Sequence, residues 1–274
     1  MKAERAQSIT TPNPRLVETF SNLIEHLQAF IRENRISYDE YHRALEFLVE
    51  AGKEGQIPLL LDVFLEATVD EVSYGGRPGT ESGVEGPYYL PDAPMLNPPY
   101  VLPQRKDEPG EVLLFSGTAR STDGAPLRGA VLDLWQCDAN GRYSHFNFKE
   151  PKYNLRGRLK TDSEGRFEVR TVIPVPYEVP KAGPTGALLA ALGRHAFRPA
   201  HLHVRLTNAG FEPLTTQLYF AGDPWLDSDV VGAVKKSLVV KLQKHDDRAD
   251  LAKRNLSRPY FACSYDFALR SQAA

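Results

Sequence analysis

The decapeptide Phe197-Arg198-Pro199-Ala200-His201-Leu202-His203-Val204-Arg205-Leu206 is the segment that most restricts what this chain can become. In an extended strand alternate side chains share a face, so His201 and His203 point one way while Leu202, Val204 and Leu206 point the other. A strand with one apolar face covers a core on that side only. A slip of one residue would exchange the faces, so the register is pinned. The two histidine Cα atoms then lie roughly 6.6 Å apart, given a rise of about 3.3 Å per residue. At that separation two imidazoles can reach one ion through bonds of ~2.1 Å. Two readings follow: a single bound metal, or a pair of hydrogen-bonded polar histidines near a sheet edge.

The rest of the chain narrows the setting. Its 274 residues suffice for one large domain or two smaller ones with covered cores. With 25% charged residues and a formal net charge of −2, neither a nucleic-acid footprint nor a disordered charged tail is indicated. Residues 1–7 carry no apolar signal core, and no later run approaches the ~18 apolar residues of a membrane span, so a cytoplasmic protein is expected. Cys137 and Cys263 are too few for a disulfide framework or a thiolate metal site, and read as two semi-buried thiols.

From Pro14, Leu16, Phe20, Leu23, Ile24, Leu27, Phe30 and Ile31 fall at helical spacing. Ser37-Tyr38-Asp39-Glu40 forms a capping box that starts a second helix, which stops near Gly52. A third, apolar nearly all round, is expected after Pro58. It needs cover on more than one side, from a partner chain or from the following domain. Glycine and proline crowd between Tyr74 and Pro103, which places the domain junction there, with residues 1–90 helical and 91–274 a second domain. Beyond it, short runs separated by turn residues read as a β-sandwich: Val112–Ala119, Ala130–Trp135, Arg166–Val172, Leu214–Phe220 and Tyr260–Leu269. A helix is expected at Thr185–Leu192 and a polar helical excursion around Lys241–Asn255. The fold class is α+β, a mostly antiparallel β-sandwich carrying a helical amino-terminal domain.

A metal held by two neutral histidines needs further ligands, and no carboxylate stands beside this pair. The cysteines are poorly placed for the part, so carboxylates from elsewhere in the chain or tyrosine phenolates remain. Tyr143 follows the Asn140-Gly141 turn, and Tyr177 sits in Pro174-Val175-Pro176-Tyr177-Glu178-Val179-Pro180, whose prolines stiffen a loop that cannot join a central sheet. A phenol titrates near about pH 10, so binding as phenolate at neutral pH demands a strongly Lewis-acidic ion such as ferric iron. The residues alone do not select these two from the chain's 12 tyrosines, each of which can equally be a buried tyrosine with a bonded hydroxyl.

Taken together, Leu134-Trp135-Gln136-Cys137-Asp138-Ala139-Asn140-Gly141-Arg142-Tyr143-Ser144, Pro176-Tyr177 and Arg198-Pro199-Ala200-His201-Leu202-His203 resemble the iron-binding segments of the intradiol ring-cleaving dioxygenases. The resemblance covers nearly the whole chain. It implies an Fe(3+) centre held by Tyr143, Tyr177, His201 and His203, with Tyr143 and His203 equatorial and Tyr177 and His201 axial. It further implies that Arg198 stabilises negative charge developing on the substrate, that Gln217 stands in the second sphere, and that Tyr177 also serves as a base. The substrates implied are a catechol and O2, and the product is a cis,cis-muconate.

The amino-terminal helices resemble those of the catechol, chlorocatechol and hydroxyquinol branch. That implies a homodimer formed through them, with a phospholipid at the interface. The same resemblance implies a substrate pocket lined by Leu59, Asp62, Val63, Val84, Gly86, Pro87 and Tyr88, with Tyr89 beside them. Gly183-Pro184-Thr185-Gly186 after the proline-rich loop looks like the chlorocatechol and hydroxyquinol enzymes, while Thr216-Gln217-Leu218 leans away from hydroxyquinol. The expectation is a chlorocatechol or substituted-catechol 1,2-dioxygenase. Plain catechol and hydroxyquinol 1,2-dioxygenases are the enzymatic alternatives; a metal-free β-sandwich ligand-binding module or a zinc hydrolase are those of other classes.

Overall fold

The computed structural model describes residues 12–145 and 151–272. Residues 1–7, read above for a signal, lie outside the described residues. The chain divides into two compact units, one ending at Lys53 and one beginning at Glu54.

The first unit is a pair of helices, α1 (Pro14–Asn34) and α2 (Tyr38–Lys53). Asn13 caps α1 by accepting the Leu16 amide, and Pro14 opens it where a missing N–H costs nothing. The capping box is formed as read: Ser37 Oγ accepts the Glu40 amide, and the Glu40 carboxylate accepts the Ser37 amide at 2.8 Å. The apolar stripe of α1 is open, with Phe20 58%, Leu23 52% and Phe30 54% exposed.

The second unit begins with α3 (Ile57–Leu61), a π-helical turn at Asp62–Glu66 and α4 (Ala67–Tyr74). The continuous helix expected after Pro58 is thus interrupted by a wider turn. Its apolar surface is divided, Val63 facing inward and Leu61, Leu65 and Val69 outward. Two further helices, α5 (Pro184–Ala191) and α6 (Arg248–Lys253), are short.

The strands are β1 (Tyr100–Val101), β2 (Val112–Ser121), β3 (Val131–Trp135), β4 (Arg156–Lys160), β5 (Arg166–Val172), β6 (Tyr177–Glu178) and β7 (Phe197–Arg198). They continue as β8 (His201–Thr207), β9 (Leu214–Phe220), β10 (Val239–Val240), β11 (Gln243–His245), β12 (Tyr260–Ser264) and β13 (Phe267–Leu269). One sheet runs β1-β5-β2-β12-β11 with β13 also on β2; the other runs β10-β9-β8-β3-β4; β6 and β7 pair alone. The long pairings β2–β5, β3–β4, β3–β8 and β8–β9 are antiparallel, whereas β12 joins β2 in parallel. Leu113 and Phe115 of one sheet meet Leu132, Leu134, Leu202 and Val204 of the other in one core.

Three local readings change. The histidine segment is not one strand: Pro199 has no N–H, and the Ala200 amide donates to the Asp223 carboxylate at 2.8 Å, so pairing lapses between β7 and β8. The region around Lys241–Asn255 is not wholly helical; its first residues form β11 against β12, and only α6 is helix. Tyr260–Leu269 splits in two, because Asp266 turns aside to accept the Thr118 amide and hydroxyl at 2.8 Å. β4, Arg-Gly-Arg-Leu-Lys, has no apolar alternation by which to be read and completes the sheet edge beside β3. No helix among the described residues is long and apolar enough to cross a membrane.

Because Leu202 is 1% exposed in the core directly beneath the histidine row, Leu202→Ala should lose about 2–5 kcal/mol of stability. Chemical denaturation of the metal-free protein checks this, and a loss below ~1 kcal/mol would mean that this strand does not depend on its apolar face.

Candidate metal centre

Strand register assembles the site before any loop contributes. In the β3-β8-β9 ladder His203 lies opposite Trp135 on one side and Gln217 on the other, and His201 lies opposite Tyr219. The Trp135 ring stacks on His203 at 4.5 Å between centroids and 11°. The two imidazoles converge with Nε2 atoms 3.1 Å apart, and each residue is 1% exposed. The Pro199 carbonyl, 2.7 Å away, accepts the Nδ1–H of His201 and so turns its Nε2 lone pair inward.

The two tyrosines arrive from loops. After β3, the Asp138 carboxylate accepts the amides of Asn140 and Arg142, both at 2.9 Å, and folds the turn that carries Tyr143 inward. Gly141 has φ +74, and a Cβ there would fall 2.9 Å from the Cβ of Tyr177, so glycine lets the two tyrosine loops approach. Tyr143 Oη ends 3.3 Å from His201 Nε2, and the Tyr143 and Tyr177 rings meet edge to face at 5.4 Å. Tyr88 stacks on Tyr143 at 4.6 Å. A cavity of about 210 Å³ lined by Tyr88, Gly141, Tyr143, Tyr177 and Pro180 opens here.

Arg198 stands behind the histidines, with Nη1 3.4 Å from His201 Nε2. Asp229 grips it through both carboxylate oxygens at 3.1 Å, and its Nη2 donates to Gln217 Oε1 at 2.8 Å. Gln217 in turn donates to the Val84 carbonyl at 2.7 Å and accepts the Tyr219 hydroxyl at 2.5 Å. Burial opposes the charge on both members of the ion pair, yet each holds the other ionised: Asp229 below the usual carboxylate range, Arg198 well above the usual guanidinium value.

Burial dominates the titration of the donors. It pushes the phenols of Tyr143 and Tyr177 well up and holds His201 neutral down to about 3, with the Arg198 charge assisting; His203 is also well below its ordinary value. Two imidazole nitrogens and two phenol oxygens thus surround one buried point without a carboxylate among them. Among the described residues no group of three or more His, Cys, Asp and Glu could hold a metal. A donor set of neutral imidazoles and phenols that cannot ionise unaided fits a hard, strongly Lewis-acidic trivalent ion, which would draw off the phenol protons.

The remaining site residues read from the sequence are distributed. Leu59 and Val63 join Val179, Leu189, Ala196 and Val230 in a small apolar cluster, while Asp62, on the π-turn, has its carboxyl pushed up by burial. Val84 and Gly86 belong to a strap anchored at the Val84 carbonyl by Gln217 and at the Gly86 amide by Glu66 Oε1, 3.3 Å away. Pro87 is exposed, and Tyr89 donates to Asp133 at 3.1 Å. Sequence reading missed Glu66, Asp229, Tyr219 and Arg156. Each is an ordinary polar residue in sequence, and only proximity in the fold reveals its part.

With this geometry in hand, two family models match the chain: one described as Dioxygenase over residues 84–271, and one as Catechol dioxygenase N terminus over residues 13–80. The chain belongs to the intradiol ring-cleavage dioxygenases, as the sequence resemblance implied. A chlorocatechol 1,2-dioxygenase of Rhodococcus opacus is 46% identical over 237 residues, spanning 85% of this chain and 92% of the relative. Catechol 1,2-dioxygenase 2 of Acinetobacter lwoffii is 36% identical over 248 residues, spanning 88% and 90%. The solved structure of 3-chlorocatechol 1,2-dioxygenase from Rhodococcus opacus 1CP matches with a TM-score of 0.88 at 43% identity, covering 94% of this chain and 99% of that one. Hydroxyquinol 1,2-dioxygenase from Pseudomonas putida DLL-E4 matches at 0.86 and 34% identity, covering 96% and 94%. The family is generally dependent on non-haem iron.

Two predictions follow from the electrostatics. Asp229→Asn leaves the buried Arg198 charge unpaired and should cost about 3–5 kcal/mol of stability; a cost under ~1 kcal/mol would show that the pair is not coupled. In the metal-free protein, both histidines stay neutral when folded but protonate in the unfolded chain below about pH 6.5. Stability should therefore fall as pH drops from ~6.5, with a slope approaching about 2.7 kcal/mol per pH unit for the two sites. Asp229, with its lowered folded value, has the same sign but acts below about pH 4. Urea midpoints at pH 7 and pH 5 measure the histidine effect, and equal midpoints would refute it.

Proposed function

We propose that this chain is a chlorocatechol 1,2-dioxygenase that opens catechols, chlorinated ones included, between the two hydroxyl-bearing carbons with O2 to give cis,cis-muconates in aromatic degradation. The carrying observation is the convergence of Tyr143, Tyr177, His201 and His203 on one buried point beside Arg198. The preference for chlorinated rings draws support from the 46% identity to a chlorocatechol enzyme against 36% to a catechol enzyme.

Tyr143, Tyr177, His201 and His203 are the residues that would hold Fe(3+). The bound ion would supply a Lewis acid that favours ionisation of the catechol hydroxyls, leaving a ring electron-rich enough to meet O2. Tyr177, on the wall of the cavity, is suited to take up a proton from a substrate hydroxyl at its Oη. Arg198, ionised and fixed by Asp229, offers a preorganised positive charge next to His201, where negative charge on the substrate would build. Gln217 holds that guanidinium and the Val84 carbonyl together, keeping the strap that carries Tyr88 against the site. Leu59, Asp62, Val63, Val84, Gly86, Pro87 and Tyr88 are the proposed substrate-contacting positions, of which Tyr88 lines the cavity.

The helical part within residues 1–90 is the proposed dimerisation domain. The open faces of Phe20, Leu23 and Phe30 support a homodimer through α1, with a phospholipid as a second occupant of that apolar surface, in a cytoplasmic protein.

The purified iron-loaded protein should show a broad tyrosinate-to-iron band that moves when catechol is added without oxygen. Tyr177→Phe should change that band and reduce ring opening on the order of 10²-fold or more. An unchanged band with full activity would refute the reading. A chlorocatechol-to-catechol turnover ratio far below one would return the assignment to a plain catechol enzyme.

A further inference from the structure

Arg156, on β4 opposite Trp135, is 1% exposed and has no use in the function proposed above. Its Nε donates to Ser144 Oγ at 2.7 Å, its Nη2 to the Ser144 carbonyl at 3.2 Å and its Nη1 to the Tyr88 carbonyl at 2.7 Å. The guanidinium is thereby fixed over the face of Tyr143, 5.7 Å from the ring centroid. Among the described residues no carboxylate pairs with it. The contrast with the buried Arg198, gripped by Asp229, is direct, and even the half-buried Lys235 has Asp70. Asp133, whose charge is felt at Arg156, takes a bond from Tyr89 and none from the guanidinium.

A buried cation without a counter-ion is costly, so what it faces must repay that cost. Here it faces three oxygens, the Ser144 hydroxyl and the Ser144 and Tyr88 carbonyls, and one aromatic ring. We propose that Arg156 is a positioning residue for Tyr143 that acts in two ways. It ties Tyr88 and Ser144 together so that the Tyr88 ring stays stacked on Tyr143, and its charge weakens the electron donation of the Tyr143 oxygen. The second part rests on the reading of Tyr143 as an iron ligand. A positive charge over a phenolate stabilises its filled orbitals, so a transition that moves an electron from that phenolate to iron needs more energy.

Two variants separate the charge from the clamp. Arg156→Gln keeps polar groups for Ser144 and Tyr88 but removes the charge; Arg156→Lys keeps the charge but cannot reproduce the fork of donors. Both are loaded with iron and their visible spectra, thermal stability and anaerobic catechol affinity are measured beside the unaltered protein. The expected result is a band shifted to longer wavelength and weaker catechol binding in Arg156→Gln, with the band near its original position in Arg156→Lys. Loss of thermal stability in both variants with neither band displaced would assign Arg156 to packing alone and overturn the charge role. Failure of both variants to retain iron would do the same. Absence of any tyrosinate band in the unaltered protein would instead overturn the iron reading itself.

Discussion

Everything in the catalytic unit depends on the register of β8 between β3 and β9. That ladder sets Trp135, His203 and Gln217 in one row and His201 against Tyr219 in the next, while Leu202 and Val204 fill the core on the reverse side. The same pleat therefore does two things at once: burying the leucine and valine fixes the strand, and the fixed strand presents two imidazoles with their Nε2 atoms together. A shift by one residue would bury the histidines in the sandwich core and expose the apolar row. The apolar face is thus the reason that the polar face is rigid.

Around that rigid row the protein balances charge within a space that excludes water. Arg198 is admitted because Asp229 meets it with both oxygens and because Gln217 and Tyr219 also accept from its Nη2. The imidazoles stay neutral for the opposite reason: burial with an adjacent guanidinium makes a second positive charge unfavourable. The phenols are protonated in such surroundings unless a strong cation faces them. The arrangement therefore fits the trivalent ion proposed for it, since an intense local charge would be needed to repay the desolvation of two phenolates.

The loops add what strands cannot. Tyr143 and Tyr177 lie 34 positions apart on segments that share no pairing, and they meet because Gly141 lacks the side chain that would hold them apart. The strap from Val84 to Tyr89 closes over them, pinned by Gln217, Glu66, Arg156 and Asp133 in turn. Each anchor is a side chain reaching a backbone group or a hydroxyl on a distant segment, which makes the cover of the site a product of long-range contacts rather than of local structure.

Local periodicity was enough to read α1, the capping box at Ser37, the strands β2, β3, β5, β8 and β9, and the common face of His201 and His203, because these follow from backbone geometry and one-sided burial. It failed at β4 and β11, where charged residues pair at sheet edges, and at the π-turn of Asp62–Glu66, where no composition marks the extra residue. The pairing of Arg198 with Asp229 and the placing of Arg156 over Tyr143 had no trace in the sequence. Which polar residue becomes a buried partner is settled by distances between segments remote along the chain, and those distances exist only once the two sheets have closed on their shared core.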